Sequence, residues 1–160
     1  MAAAYLDQEL RILIASHLIE DANIEKQLFE GDGALATFSS RIAMAYAMGL
    51  ISPAARRDLD LVRKIRNDFG HNAKPIDFSH PPIASRCREV YFRYESLEAP
   101  PRRFFENAVF AIAALIHRAT ISAKRPILPA DVPIDDEIRK RHKKKVAAMM
   151  KVIARQKADL

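Results

Sequence analysis

Apolar residues recur at steps of three and four along most of the chain, and this spacing constrains the fold more than any other feature. It places the apolar side chains on one side of each helix, where they can form a shared core. No convincing segment alternates apolar and polar residues as a half-buried strand would. The chain has four glycines and no tryptophan, which argues against the turn-rich all-β classes. The sequence therefore predicts an all-α protein.

The helical pattern divides the chain into a single-domain bundle of about five helices and a C-terminal basic amphipathic helix. The first predicted helix carries an apolar stripe from Leu6 to Leu28, and the connector Gly31-Asp32-Gly33 follows it. The second predicted helix ends at Gly49, which can take the left-handed conformation that closes helices, and the third ends at Gly70. The fourth predicted helix runs from Ile83 to Tyr94. The fifth, from about Arg102 to Ala123, is apolar on most sides and is predicted to be central.

Charge and proline content predict three segments: a bundle over residues 1–123, a proline-rich linker over 124–133 and a basic helix over 134–160. Residues 1–123 hold 15 basic and 15 acidic side chains, whereas residues 124–160 hold 11 basic and five acidic ones. The body is therefore neutral overall and the tail is basic. An apolar stripe on the tail helix, with Met149 and Met150, offers area that a second copy could bury, so a homodimer is a further prediction.

Several function classes are disfavoured by what the sequence lacks. Cys87 is the one cysteine, so an internal disulfide and a cysteine-based zinc site are excluded and a reducing cytoplasm is the expected location. The histidines at positions 17, 80, 117 and 142 show no metal-ligand spacing, and we expect no metal and no cofactor. The most apolar run, residues 108–116, is far shorter than the roughly 20 residues that cross a bilayer. We therefore expect no membrane partner.

A polar cluster near the end of the third predicted helix offers catalytic chemistry. Arg66, Asn67 and His71 lie close in sequence, and Asn67 and His71 share a helix face because they are four residues apart. An arginine could hold a phosphodiester and a histidine could move protons on it without a metal. The structural alternative is that Arg66 pairs with Asp58 or Asp68 and that His71 caps the helix.

Two further patterns concern nucleic acid. A helix-turn-helix reading of residues 45–57 would present Arg56, Arg57 and Asn67 to the major groove. The charges of Asp58, Asp60 and Asp68 would then face phosphates, and the body lacks a net basic charge, so this reading is disfavoured. The second pattern is a run of cations in the tail, which either contacts nucleic acid or forms a solvated helix face. It consists of Arg139, Lys140, Arg141, Lys143, Lys144 and Lys145.

Four segments carry a family resemblance. Residues 33–42, 45–51, 58–59 and 65–71 resemble the mannitol operon repressor family in order and spacing, and the likeness spans about residues 4–120. The resemblance implies an all-helical bacterial transcriptional regulator without an obvious DNA-reading motif, which acts through a partner protein or a ligand. The chain departs from the family pattern at Ala34, Ala36 and Gly70.

A shorter likeness covers only the segment from Arg66 to His71. The Arg66-Asn67…His71 arrangement is similar to the motif of HEPN-domain proteins, which implies a metal-independent endoribonuclease with Arg66 and His71 as the catalytic pair and Asn67 orienting them. The leading hypothesis remains a cytoplasmic regulator that acts through protein contacts rather than direct base readout. The ribonuclease is the alternative.

Overall fold

Seven α-helices and no strand are present among residues 2–71, 75–96, 98–131, 133 and 135–158, which this computed structural model describes. Ile134 and Leu160, the predicted ends of the C-terminal segment, lie outside the described residues. The all-α prediction is confirmed. The helices are α1 (Ala2–Ala15), α2 (Ala22–Phe29), α3 (Phe38–Ala47), α4 (Pro53–His71), α5 (Pro81–Arg88), α6 (Pro101–Ile121) and α7 (Asp136–Ala158). Residues 1–127 and 128–160 form two separate compact units.

The prediction of one helix from Leu6 to Leu28 is wrong, because the chain turns between α1 and α2. The Ser16 hydroxyl donates to the Leu13 carbonyl at 2.7 Å, and the backbone N–H of His17 reaches only back to Ile14, three residues earlier. The Asp21 carboxylate then caps α2 by accepting the backbone N–H groups two and three residues later. This N-cap interaction begins a new helix, which is why the first unit has six helices instead of about five.

The core of the first unit consists of two apolar clusters that meet along α6. The first cluster joins α1, α3, α4 and α6, with Leu10, Leu59 and Ile112 fully buried. The second joins the C-terminal half of α4 to α5 and the N-terminal half of α6, around Ile83 and Phe104. α6 contributes to both clusters, so its predicted central position is confirmed, although one of its sides faces solvent.

α6 also has the length and the apolar composition of a helix that could cross a membrane. Its fully buried residues lie at steps of four: Phe104, Ala108, Ile112 and Ile116. These residues belong to the two clusters described above. The same composition is expected of the core helix of a bundle, and the packing of α6 against α1 and α5 accounts for it.

A buried arginine holds the connection between α2 and α3. The Arg41 side chain is 7% exposed and pairs with the Asp7 carboxylate of α1 at 2.7 Å. Its Nε donates to the Leu35 carbonyl at 2.8 Å, and Nη2 donates to the Phe29 and Ala36 carbonyls. One guanidinium thus satisfies three loop carbonyls that α2 and α3 leave without helix partners.

A buried aspartate holds the connection between α5 and α6. Asp58 of α4 has no solvent exposure, and its carboxylate accepts the backbone N–H groups of Tyr91 and Phe92 at 2.9 to 3.0 Å. These bonds draw the backbone out of helical geometry, so α5 ends at Arg88. The prediction that this helix continues to Tyr94 is wrong for that reason.

The second unit is described by itself. α7 begins beside Asp135, whose carboxylate accepts the backbone N–H of Ile138 at 2.8 Å. The side chains described on this helix are all exposed. Its apolar residues lie within one arc of the helix surface, as the sequence pattern predicts: Ile138, Val146, Met149, Met150 and Ile153.

Candidate functional site

The predicted catalytic residues lie on the last two turns of α4. Arg66 and His71 are exposed and Asn67 is half-buried. Asn67 and His71 share one face, but Arg66 and His71 are five residues apart and therefore point about 140° from each other around the helix axis. Within a single copy of α4, the Arg66 guanidinium and the His71 imidazole therefore do not come together. A catalytic role for the three residues stays a prediction.

The two carboxylates suggested as partners of Arg66 are engaged elsewhere. Asp58 is fully buried and binds the two backbone N–H groups described above. Asp68 forms an ion pair with Arg86 of α5. The structural alternative for Arg66 therefore fails for Asp58, and the Asp68 pair instead connects α4 to α5.

An exposed basic surface lies nearer the start of α4. We call Arg56, Arg57 and Lys64 the α4 basic face. The Arg56 guanidinium stacks over the ring of Tyr46 from α3, with 4.5 Å between the guanidinium carbon and the ring centroid. These residues border a groove of about 420 Å³, which is also lined by Pro53, Asp60, Leu61 and Glu89.

Two of the three acids of α4 are withdrawn from this face, and Asp60, which lines the groove, is paired within the fold. Asp58 is buried, and Asp68 is directed to Arg86. Asp60 lies 3.5 Å from Arg63, one turn later on the same helix. The expectation that the three aspartates would all face an approaching phosphate is therefore wrong for Asp58, and the other two have cationic partners within the fold.

An apolar surface lies on the solvent side of α6. Phe110 is 75% exposed and Ile121 is 71% exposed, and the exposed residues Ala114 and His117 lie between them. Steps of four, three and four keep these four residues on one face, which we call the α6 outer face. The sequence analysis missed it because a helix that is apolar on most sides predicts burial. A second stripe, offset by two residues from the buried one, was the available signal.

The predicted cations of the tail all lie on α7. Arg139, Lys140, Arg141, Lys143, Lys144 and Lys145 are exposed. Arg139 forms an ion pair with Asp136 at 3.6 Å. At 3.6 residues per turn, most of these cations lie on the polar side, whereas Arg139 falls within the apolar arc and Lys145 lies at its edge. Whether they contact nucleic acid stays a prediction.

Two titratable groups have clear pKa shifts, and neither forms a reactive centre. Burial raises the pKa of the Cys87 thiol to about 11, which keeps it protonated and unreactive at neutral pH. The Ser79 hydroxyl and backbone N–H hold the pKa of the Asp77 carboxyl below its usual value. Within the described ranges, no group of three or more His, Cys, Asp or Glu residues is placed to hold a metal ion.

Comparison with known proteins places the first unit in a family. The family model for mannitol repressors matches residues 1–117. The chain belongs to the mannitol repressor family. The match includes Arg41, Asp58, the α4 basic face and most of the α6 outer face, whereas α7 lies beyond it. The resemblance predicted from the sequence is thereby confirmed.

A solved structure has a similar fold. It is described as the X-ray structure of the MtlR-HPr complex from Escherichia coli, with a TM-score of 0.56 and 18% sequence identity to the chain. The alignment covers 74% of this chain and 85% of the other. At this identity, the likeness establishes the fold alone. No curated protein matches the chain in sequence.

Proposed function

We propose that this mannitol repressor family member is a transcriptional regulator that acts by binding a partner protein of the HPr type. Family membership over residues 1–117 carries the proposal. The fold similarity to a protein solved in complex with HPr supports the choice of partner. The regulator acts through protein contacts and not by direct base readout. Its location is the cytoplasm, which the buried free thiol of Cys87 favours.

The α6 outer face is the surface that we assign to this partner. Aromatic residues are enriched in the buried centres of protein interfaces, where a few of them contribute most of the affinity. Phe110 leaves three quarters of its surface in water, and Ala114 beside it leaves room for a partner side chain. Burying a phenylalanine contributes about 2 kcal/mol, enough for a change of more than tenfold in affinity.

A calorimetric titration tests both the partner and the surface. We expect the full chain to bind the HPr encoded in the same genome, and the Phe110→Ser variant to bind it at least tenfold more weakly. Tyr94→Ser is the matched control, because Tyr94 is an aromatic residue with the same exposed fraction of 75% and lies outside α6. This control should change the affinity less than twofold.

The two parts of the proposal fail separately. If the wild-type chain shows no heat of binding with HPr, the partner is wrong. If it binds HPr but Phe110→Ser and Tyr94→Ser give equal affinities, the partner stands and the α6 outer face is the wrong surface.

A further inference from the structure

The body, residues 1–123, is neutral overall but consists of two parts with net charges of opposite sign. Residues 1–37 hold seven acidic and two basic side chains, whereas residues 38–123 hold 13 basic and eight acidic ones. The α4 basic face belongs to the second part. Its three cations lie within nine residues of one helix, and the eight steps between the first and the last span about 12 Å along the axis. A local positive potential therefore exists where the summed charge of the body shows none.

We propose that the α4 basic face binds duplex DNA through its phosphates, independently of base sequence. Arg57 and Lys64 lie seven residues apart and within about 20° of the same line along α4, so both can reach one phosphate strand. Arg56 lies beside them, held by the Tyr46 ring at 4.5 Å. Among the acids of the groove, Asp60 is paired with Arg63, and Glu89 is the remaining carboxylate.

The composition of this face favours nucleic acid over an acidic protein. The centres of protein interfaces are depleted in lysine and in acidic residues, although arginine is enriched there, and they are built around exposed aromatic anchors. Among the residues that line the groove, Tyr46 is the aromatic one, and the Arg56 guanidinium covers its ring. The α6 outer face, with Phe110 and Ile121, offers the exposed apolar side chains that a protein partner would bury.

The same features favour a duplex over a single strand. Proteins that bind single strands stack the bases on exposed aromatic rings, and the Arg56 guanidinium already covers one face of the Tyr46 ring, the aromatic ring of this groove. Duplex DNA presents one phosphate charge per about 1.7 Å of axis, on a surface open to a helix. A straight row of cations on an exposed helix suits this geometry.

Fluorescence anisotropy with the full chain and a labelled random-sequence duplex of 24 base pairs is the test, at several salt concentrations from 50 to 200 mM. The variant is Arg57→Gln with Lys64→Gln, which leaves the Arg56–Tyr46 stack in place. We expect its affinity to fall at least fivefold at the lowest salt. The slope of log affinity against log salt should become shallower by about 1.8, since each phosphate contact contributes about 0.9.

Arg102→Gln with Arg103→Gln is the matched control. It removes two exposed cations from α6 and lowers the net charge by the same amount. We expect it to bind the duplex within twofold of the wild type. Far-UV circular dichroism and thermal melting should show both double variants folded, because all four arginine and lysine side chains are exposed.

The proposal is wrong if the wild type does not bind the duplex at 50 mM salt, or if the wild type and the α4 variant bind it with equal affinity. It is also wrong if both double variants lose the same affinity, or if single-stranded DNA or RNA binds more tightly than the duplex. The proposal is independent of HPr, and we expect the α4 variant to bind HPr as the wild type does. Loss of HPr binding with unchanged DNA binding would show that the face serves a protein instead.

Discussion

Arg41 and Asp58 show how single buried polar residues position loops in this bundle. Each fills the hydrogen-bonding needs of backbone groups that no helix satisfies, and each lies in a segment that carries the family resemblance. The sequence analysis left two places open for Asp58, a core-facing partner of Arg66 or a charge facing phosphates, because composition and spacing do not reveal which aspartate of a helix faces inward. The burial of Asp58 depends on backbone N–H groups more than 30 residues away.

At the same scale, we expect Arg41→Ala to lower the free energy of unfolding by about 3 kcal/mol, since it leaves buried carbonyls and the Asp7 carboxylate without their partner. Urea denaturation measures the change. Arg102→Ala is the control, because that arginine is 70% exposed and pairs with Glu106 at the surface, where a loss of less than about 0.5 kcal/mol is expected. Equal losses in both variants would contradict the structural role of Arg41.

The buried thiol gives a prediction for alkaline pH. Burial raises the pKa of Cys87 from its usual 9.0 to about 11, so the folded protein keeps a proton that the unfolded chain loses near pH 9. The free energy of unfolding should therefore fall as pH rises from 9 to 11. Cys87→Ala should lack this contribution. Parallel pH curves for the two proteins in urea titrations would argue against it.

At the scale of the helices, the sequence predicted the type and the approximate position of each element better than the residues at which it begins and ends. The apolar periodicity of α3, α4 and α6 was decisive, since each buries one side against the core. The break after α1 depends on Asp21, which caps α2. Aspartate is a typical N-cap residue, but the apolar pattern continues past it and predicted an unbroken helix. The end of α5 depends on Asp58 across the bundle, and no local signal could have predicted it.

The candidate surfaces were predictable to different degrees. The positions of Arg56, Arg57 and Lys64 on one helix follow from spacing, but the burial of Asp58 and the pairing of Asp60 with Arg63 required the fold. The α6 outer face was harder to predict, because a buried and a solvent-exposed apolar stripe have the same sequence pattern. Exposure is a property of the packing of α6 against α1 and α5.

Two glycines of similar appearance should respond oppositely to alanine. A Cβ at Gly33 would lie 2.5 Å from the Leu28 carbonyl oxygen, whereas a Cβ at Gly70 meets nothing within 4 Å. We expect Gly33→Ala to lower the free energy of unfolding by more than about 1 kcal/mol, because the new Cβ would clash with the backbone of Leu28. Gly70→Ala, inside α4, should gain about 0.5 kcal/mol. Thermal unfolding of both variants measures this, and the same sign in both would refute it.

At the scale of the whole molecule, the apolar core lies in the first unit and the basic charge of the tail lies in the second. Both core clusters lie within residues 1–127, and the buried residues among the described ones all belong to this unit. The second unit contributes a basic amphipathic helix. The predicted linker at 124–133 fits such a division, and its bounds stay a prediction.

A chain that ends after Ile127 should therefore unfold cooperatively, with a Tm within about 4 °C of the full chain, because this is the shift that roughly 1 kcal/mol produces in a domain of this size. Differential scanning calorimetry of the two proteins gives the comparison. A broad transition or a much lower Tm in the shortened chain would mean that residues 128–160 stabilise the bundle.

The carboxylate of Asp58 also makes the connector between α5 and α6 a reporter of global opening. Tyr91 and Phe92 lie outside every helix, where amide protons ordinarily exchange with deuterium quickly. Their amides are held by a carboxylate that water does not reach. Their exchange should be as slow as that of the buried helices, and it should accelerate only in those rare excursions in which α4 separates from the rest of the bundle.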